Sequence, residues 1–260
     1  MISVIALAHN RDKNLEFTMK CWAQQTYKDF ELNVFESGNM DSTIDILKKY
    51  QDRVKINCWR LHTKYVNKTY AINFLAEQSK GEFLSIWDVD ILKADTYLDD
   101  CLKLITTDNF VQQYARYIND HFTKEVFSHN LCFKRINDLD SKHSKSFSRA
   151  DAPSQIFVRK EDFVAIGMYD LRFLGWAPED SDFVERLLRY GKKQTIVEPW
   201  SYHLEHSLKN NYQHTAFSSK AANQRIYLEN KENKIIVVDN SNVDWSENQW
   251  DPLAKPVRIL

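Results

Sequence analysis

Glycine and proline are scarce in this chain, at five residues each in 260. No glycine-rich phosphate loop is present, of either the Walker or the dinucleotide type. No low-complexity linker divides the chain either. Four cysteines, Cys21, Cys58, Cys101 and Cys132, are widely spaced and form no C-x-x-C pair. That excludes a zinc knuckle and a disulfide frame, and reads as buried free thiols in a reducing compartment. No apolar run reaches the roughly 18 residues of a membrane span. Met1 is followed at once by a strand-like run, so no signal peptide is visible. The expected location is cytoplasmic, with room for peripheral contact at a membrane. Formal net charge is −1, and even the densest basic stretch holds only Lys142, Lys145 and Arg149 with His143. No broad positive field favours nucleic acid.

What the chain does have is an alternation of apolar runs. Ile2 to Ala8, Phe30 to Phe35, Val54 to Trp59 and Phe83 to Trp87 read as buried strands. Between them, Lys13 to Gln24, a stretch capped by Asp41 or Ser42, and a stretch capped by Asn67 carry helical spacing. Strand–helix alternation over the first ninety residues predicts an α/β fold with a mostly parallel, doubly wound sheet flanked by helices. Residues 107 to 150 mix polar letters with short apolar runs and predict irregular structure with two strands. Further on, Ser154 to Val158 predicts a strand, Lys160 to Ile166 a short helix and Ser181 to Tyr190 a longer one. Gln194 to Val197 then predicts a strand, Ala216 to Asn230 a helix and Lys234 to Val238 a last strand. One domain over 1–260 is expected: a nucleotide-binding half at 1–106, an acceptor and metal half at 107–210, and an extension at 211–260.

Four polar clusters fall at the ends of these elements: His9-Asn10-Arg11, Glu36-Ser37-Gly38-Asn39, Asp88-Val89-Asp90, and Glu179-Asp180-Ser181-Asp182. The first three follow parallel strands, whose carboxyl ends share the edge where open α/β sheets bind ligands. Two carboxylates two residues apart suit Mg²⁺ or Mn²⁺, ions that bridge to substrate phosphates. The competing reading of each cluster is plain: an acidic strand end can be a solvated turn, and acids in a first helical turn complement the helix dipole.

In their order along the chain these residues resemble the nucleotide-sugar-dependent glycosyltransferases of the GT-A fold. Glu36 to Thr43, Asn67 to Asn73 and Gly81-Glu82-Phe83 are similar to the family 2 group. The stretches His9 to Arg11, Asp88 to Ile91, Gly175 to Phe183 and His203 to His206 resemble the β-1,4-galactosyltransferases. Ala177-Pro178 replaces that family's two glycines. The resemblance implies Asp90, His206 and His203 as ligands of Mn²⁺ (or Mg²⁺) and Asp180 as general base. It implies Glu36 beside the uridine, Arg11 against the diphosphate and Asp88 on the ribose or donor sugar. Glu179 and Trp176 would orient the acceptor, and Asp182 would be a helix-start charge. The implied reaction is metal-dependent and inverting. It moves a hexose, galactose or N-acetylgalactosamine first, from a UDP-sugar to a hydroxyl of an oligosaccharide or lipid-linked glycan. Alternatives on the same sheet are a non-catalytic sugar-nucleotide or glycan-binding domain and a sugar nucleotidyltransferase. The sequence leaves the oligomeric state open.

Overall fold

The protein is described by a computed structural model covering residues 1–38, 42–61, 67–140, 147–175, 177–206, 216–241 and 255–260. Its first part runs β1 (Ile2–Ala8), α1 (Asp12–Gln24), β2 (Phe30–Glu36), α2 (Thr43–Lys48), β3 (Lys55–Arg60), α3 (Lys68–Gln78), β4 (Phe83–Ile86). The middle adds β5 (Ile91–Leu92), α4 (Tyr97–Leu104), β6 (Asn109–Ile118), α5 (Asp120–Ser128), α6 (Phe133–Asp140), β7 (Phe147–Arg159) and α7 (Lys160–Ala165). The last part is α8 (Glu179–Arg189), β8 (Lys193–Ile196), β9 (Ser201–His203), α9 (Ala216–Glu232) and β10 (Val257–Arg258).

All ten strands join one sheet in the order β10-β3-β2-β1-β4-β7-β6-β9-β5, with β8 also on β6. β3, β2, β1 and β4 are parallel. β7 is antiparallel to both β4 and β6. Two reversals restore the direction, so β9, parallel to β6, also points its carboxyl end towards the edge reached by β1, β2 and β4. Strands buried on both faces read as continuous apolar runs, and β1 does. Its Ile2, Val4, Ala6 and Ala8 face a core built with α1, α2, α4, α5 and α6, whereas Ile5 faces a second core built with α3, α7 and α8. Helices therefore cover both faces of the sheet.

Several sequence expectations are met, with small shifts of boundary. Asn67 caps α3, its side chain accepting from the Tyr70 amide at 3.1 Å. Ser42 precedes α2 without a side-chain cap bond, and Asp41 lies outside the described residues. Three of the four cysteines are buried, but Cys132 is exposed.

Two expectations are corrected. The stretch 107 to 150 holds the two expected strands, the ten-residue β6 and the start of β7, but the helices α5 and α6 stand where irregular structure was expected. Its polar letters conceal a buried strand because their side chains are satisfied across the sheet. Gln113, 1% exposed, accepts from Lys93 at 3.0 Å and donates to the Pro199 carbonyl at 2.6 Å. Lys234 to Val238 is not a strand. Lys234 takes a left-handed backbone (φ 51), and the Ile235 amide turns back to Asn230. The apolar run then lies along α7, where the Val238 amide reaches Ile166.

Lys93 is fully buried, its ammonium over the rings of Tyr97 at 3.8 Å and Trp87 at 4.9 Å. Burial pulls it down from 10.5 to about 7. The unfolded chain therefore binds a proton between those values that the folded protein does not, and folding gains stability as pH rises through that window. The effect is on the order of 4 kcal/mol. Urea titrations of the wild type and Lys93→Met from pH 6 to 10 are expected to show the wild type gaining on the variant by that amount. Parallel curves would refute it. Comparison with the variant removes the opposing effect of Cys21 and Cys101, whose thiols burial raises to about 12.

Candidate active site

The loop Asp88-Val89-Asp90 leaves β4 and is pinned from two distant segments and by the residue before it. Thr18 of α1 donates to the Val89 carbonyl at 2.8 Å, and the Leu204 amide donates to the Asp90 carbonyl at 2.9 Å. Trp87 reaches over the loop to the Ile91 carbonyl at 2.8 Å, packed between Trp22 and Tyr97.

Asp90, 7% exposed, meets His203 and His206 where β9 ends. His206 Nε2 lies 3.1 Å from Asp90 Oδ2 and His203 Nε2 lies 3.7 Å from Oδ1. A regular strand would aim residues three apart to opposite faces. The chain leaves β-structure after His203, and both imidazoles reach one carboxylate. Arg11 joins them, its Nε 3.8 Å from Asp90 Oδ2 and its Nη2 donating to His206 Nδ1 at 2.9 Å. Burial raises Asp90, but His203, His206 and Arg11 outweigh it and hold the carboxylate well below its ordinary range. Burial keeps His203 below the usual imidazole value despite Asp90.

One carboxylate and two imidazoles, with ligand atoms within 4.8 Å of one another, form a set that could hold a divalent cation. The fit is supported by Asp90 Oδ1, a buried oxygen with no hydrogen-bond partner. A bound cation is one way to satisfy such an oxygen. With Arg11 on Nδ1, His206 faces Asp90 through its Nε2–H; ligation through Nε2 requires Arg11 to release that ring.

A second cluster adjoins the first through Asp88. The Lys68 ammonium lies 2.7 Å from Asp180 Oδ2, 3.5 Å from Glu179 Oε1 and 3.7 Å from Asp88 Oδ1. Tyr169 donates its hydroxyl to Asp180 Oδ1 at 2.8 Å. α8 starts at Glu179, two residues earlier than its spacing predicts, so both acids sit in its first turn. α3 is locked against this corner by reciprocal bonds between Asn73 and the Tyr169 backbone and by Thr69 to the Phe173 carbonyl. Burial lowers Lys68, but Asp180, Asp88 and Glu179 raise it well above its ordinary value, so it stays charged. Burial, then Asp180, raises Glu179 to about 7 against the pull of Lys68. Burial likewise raises Asp88, which accepts from Gln155 at 2.9 Å.

The structure thus brings Arg11, Asp90, His203 and His206 together, and Asp88, Glu179 and Asp180 beside them. Glu36 is buried at the end of β2 and paired with Arg60. Trp176 lies outside the described residues. Asp182 is more than a helix-start charge: it pairs with the fully buried Arg186 at 2.7 Å. Ala177 keeps the left-handed backbone a glycine would take (φ 49), and Asn223 of α9 donates to its carbonyl. Sequence reasoning missed Lys68, Tyr169 and Arg60. For Lys68 a signal existed, since a lysine opening a helix opposes the dipole and calls for a carboxylate partner.

The sheet covered by helices on both faces, with an acidic loop after β4 and an acidic helix start beside it, matches the GT-A fold of solved glycosyltransferase structures. Residues 3–164 match the model of glycosyl transferase family 2, and the chain belongs to that family. It is 24% identical over 235 residues to a validoxylamine A glucosyltransferase of Streptomyces hygroscopicus subsp. limoneus, covering 79% of this chain and 52% of the relative. It is 24% identical over 250 residues to a chondroitin synthase of Pasteurella multocida, covering 81% of this chain and 25% of the relative. The chain thus spans about half the length of the first relative and a quarter of the second. In structure it is similar to S. aureus TarS 1–349 in complex with UDP (TM-score 0.59, 18% identity, 77% of this chain and 59% of that one). It is also similar to a mannosyltransferase of Pyrobaculum calidifontis in complex with GDP-Man and Mn²⁺ (TM-score 0.58, 18% identity, 80% and 57%). Among the described residues, no helix is long and apolar enough to cross a membrane.

Proposed function

We propose that this chain is a metal-dependent, inverting glycosyltransferase that moves a hexose from a UDP-sugar to a glycan hydroxyl. The reading rests on the Asp90 carboxylate, buried beside two imidazoles at the ligand-binding edge of the sheet, with its Oδ1 lacking a hydrogen-bond partner. Asp90, His206 and His203 hold Mn²⁺ or Mg²⁺, and the ion, when bound, offsets the charge of the departing diphosphate. Arg11, once released from His206, faces that diphosphate. Glu36 lies beside the uridine and Asp88 against the ribose or donor sugar. Asp180 takes the proton from the acceptor hydroxyl while that oxygen bonds to the anomeric carbon and the bond to UDP breaks. Glu179, raised to about 7, orients the acceptor by hydrogen bonding, and Trp176 offers it an aromatic face. The motif resemblance ranks galactose and N-acetylgalactosamine first among donor sugars. The glucosyltransferase relative puts glucose beside them.

The decisive experiment is thermal unfolding with UDP, with and without Mn²⁺, for the wild type and Asp90→Ala. A ligand at about a hundred times its Kd adds roughly 2.7 kcal/mol, or about 5 °C in a domain of this size. The expected result is a Mn²⁺-dependent rise that Asp90→Ala abolishes. A rise with GDP in place of UDP would keep the enzyme and change its donor. No rise with any nucleotide would refute the transferase and favour a glycan-binding domain of the same fold.

A further inference from the structure

Lys68 lies in a stretch similar to family 2 but was assigned no role there, yet it is the cation on which three carboxylates converge. It opens α3, its side chain is 14% exposed, and its three carboxylate neighbours come from two elements: Asp88 from the loop after β4, Glu179 and Asp180 from α8. An ammonium at a helix start costs a few tenths of a kcal/mol against the dipole. An ion pair serving only to dock α3 on α8 would be met by one carboxylate. Here one ammonium faces three, and burial together with the neighbouring Asp180 raises Glu179 to about 7.

The geometry around Asp180 is more specific than charge balance. Lys68 donates to Oδ2 and Tyr169 to Oδ1, one donor for each oxygen. Neither donor is free to drift. The Tyr169 ring stacks on Phe183 at 4.6 Å, and its backbone is bracketed by Asn73. Lys68 follows directly on the Asn67 cap. A carboxylate offers about four lone-pair sites, so two donors fix the plane of Asp180 and leave sites for an incoming hydroxyl.

We propose that Lys68 is a positioning residue of the transfer site: it holds the Asp180 carboxylate in plane and ties it, through Asp88, to the loop that carries Asp90. The inference rests on the transferase reading. On this view the donor and acceptor sides of the site are joined by one side chain, and a change at Lys68 alters turnover more than donor affinity.

The test compares the wild type, Lys68→Met and Lys68→Arg. UDP release from UDP-galactose and UDP-glucose is followed with Mn²⁺ and water as acceptor, and the Glu179 carboxyl is titrated by carbon-13 NMR in the free proteins. In Lys68→Met, kcat is expected to fall at least about tenfold with KM for the UDP-sugar changed less than about threefold, the pattern of an interaction made in the transition state. The Glu179 midpoint is expected to rise by about one pH unit or more, since an opposite charge within 4–6 Å is worth that much. Lys68→Arg, which keeps the charge, is expected to restore both within about threefold and a few tenths of a pH unit. An unchanged kcat and midpoint in Lys68→Met would overturn the proposal, as would a raised KM at unchanged kcat. A wild type that shows no stabilisation by any nucleotide would instead refute the transferase reading. If it binds UDP but does not use water, the Glu179 titration decides.

Discussion

Asp180→Asn is expected to lower the transfer rate by about 10²- to 10⁴-fold, the usual contribution of a positioned general base. That corresponds to roughly 3–5 kcal/mol of barrier. The amide keeps the size and most of the contacts of the carboxylate, so the fold is not at issue. Asn Oδ1 can still accept from Lys68 or Tyr169, but it cannot take the acceptor proton. The donor site is held by other residues, so the rise in melting temperature with UDP and Mn²⁺ is expected to match the wild type. Initial rates and thermal shifts on the same preparations check both halves. A variant retaining more than a tenth of wild-type turnover would remove Asp180 from the role of base, and Glu179, at about 7, would be the next residue to test.

Asp182→Ala is expected to destabilise the protein by about 3–5 kcal/mol without touching the reaction directly. Asp182 Oδ2 receives Arg186 Nε at 2.7 Å, and its Oδ1 receives the Asn230 amide at 2.9 Å. Arg186 is wholly buried and donates to the Ile166 and Met168 carbonyls at 2.8 and 2.7 Å. Removing the carboxylate leaves a desolvated guanidinium with carbonyl partners alone. Breaking such a pair from one side costs far more than removing both members. The double variant Asp182→Ala with Arg186→Met is therefore expected to lie well above the sum of the single losses in urea unfolding. A loss below about 1 kcal/mol for Asp182→Ala would show that the pair carries little of the stability of this corner.

The contrast between adjacent acids shows what could be read in the letters. Asp180 and Asp182 are near-identical as sequence, both in the first turn of α8, yet one faces Lys68 and the other a buried arginine a turn further on. Helical spacing puts Arg186 four residues from Asp182, so that pairing was available from the start. The partner of Asp180 was not, because Lys68 comes from another helix. The same division runs through the fold. The first ninety residues were legible because parallel strands buried on both faces are apolar throughout. β6 was not, since Gln112 and Gln113 look like loop residues until Lys93, Gln194 and Pro199 are seen to satisfy them. The cluster of Asp90, His203 and His206 was expected from order and resemblance, and the structure brings the three together. The bend that lets His203 and His206 share Asp90 was only a requirement until the structure supplied it.

The pairing of β5 with β9 sets when the site can exist at all. Ile91 finds its partner in His203, with β6, β7 and α8 lying between them in the chain. Contacts so remote in sequence form late, after the loop between them has been closed at an entropic cost. A chain emerging from the ribosome therefore carries Asp90 long before its two histidines. The parallel half can gather its core early, but the Asp90–His203–His206 cluster is complete only once β9 has docked. On the proposed reading of that cluster, cation binding would report completed folding and separate native molecules from compact intermediates in which β9 has yet to dock.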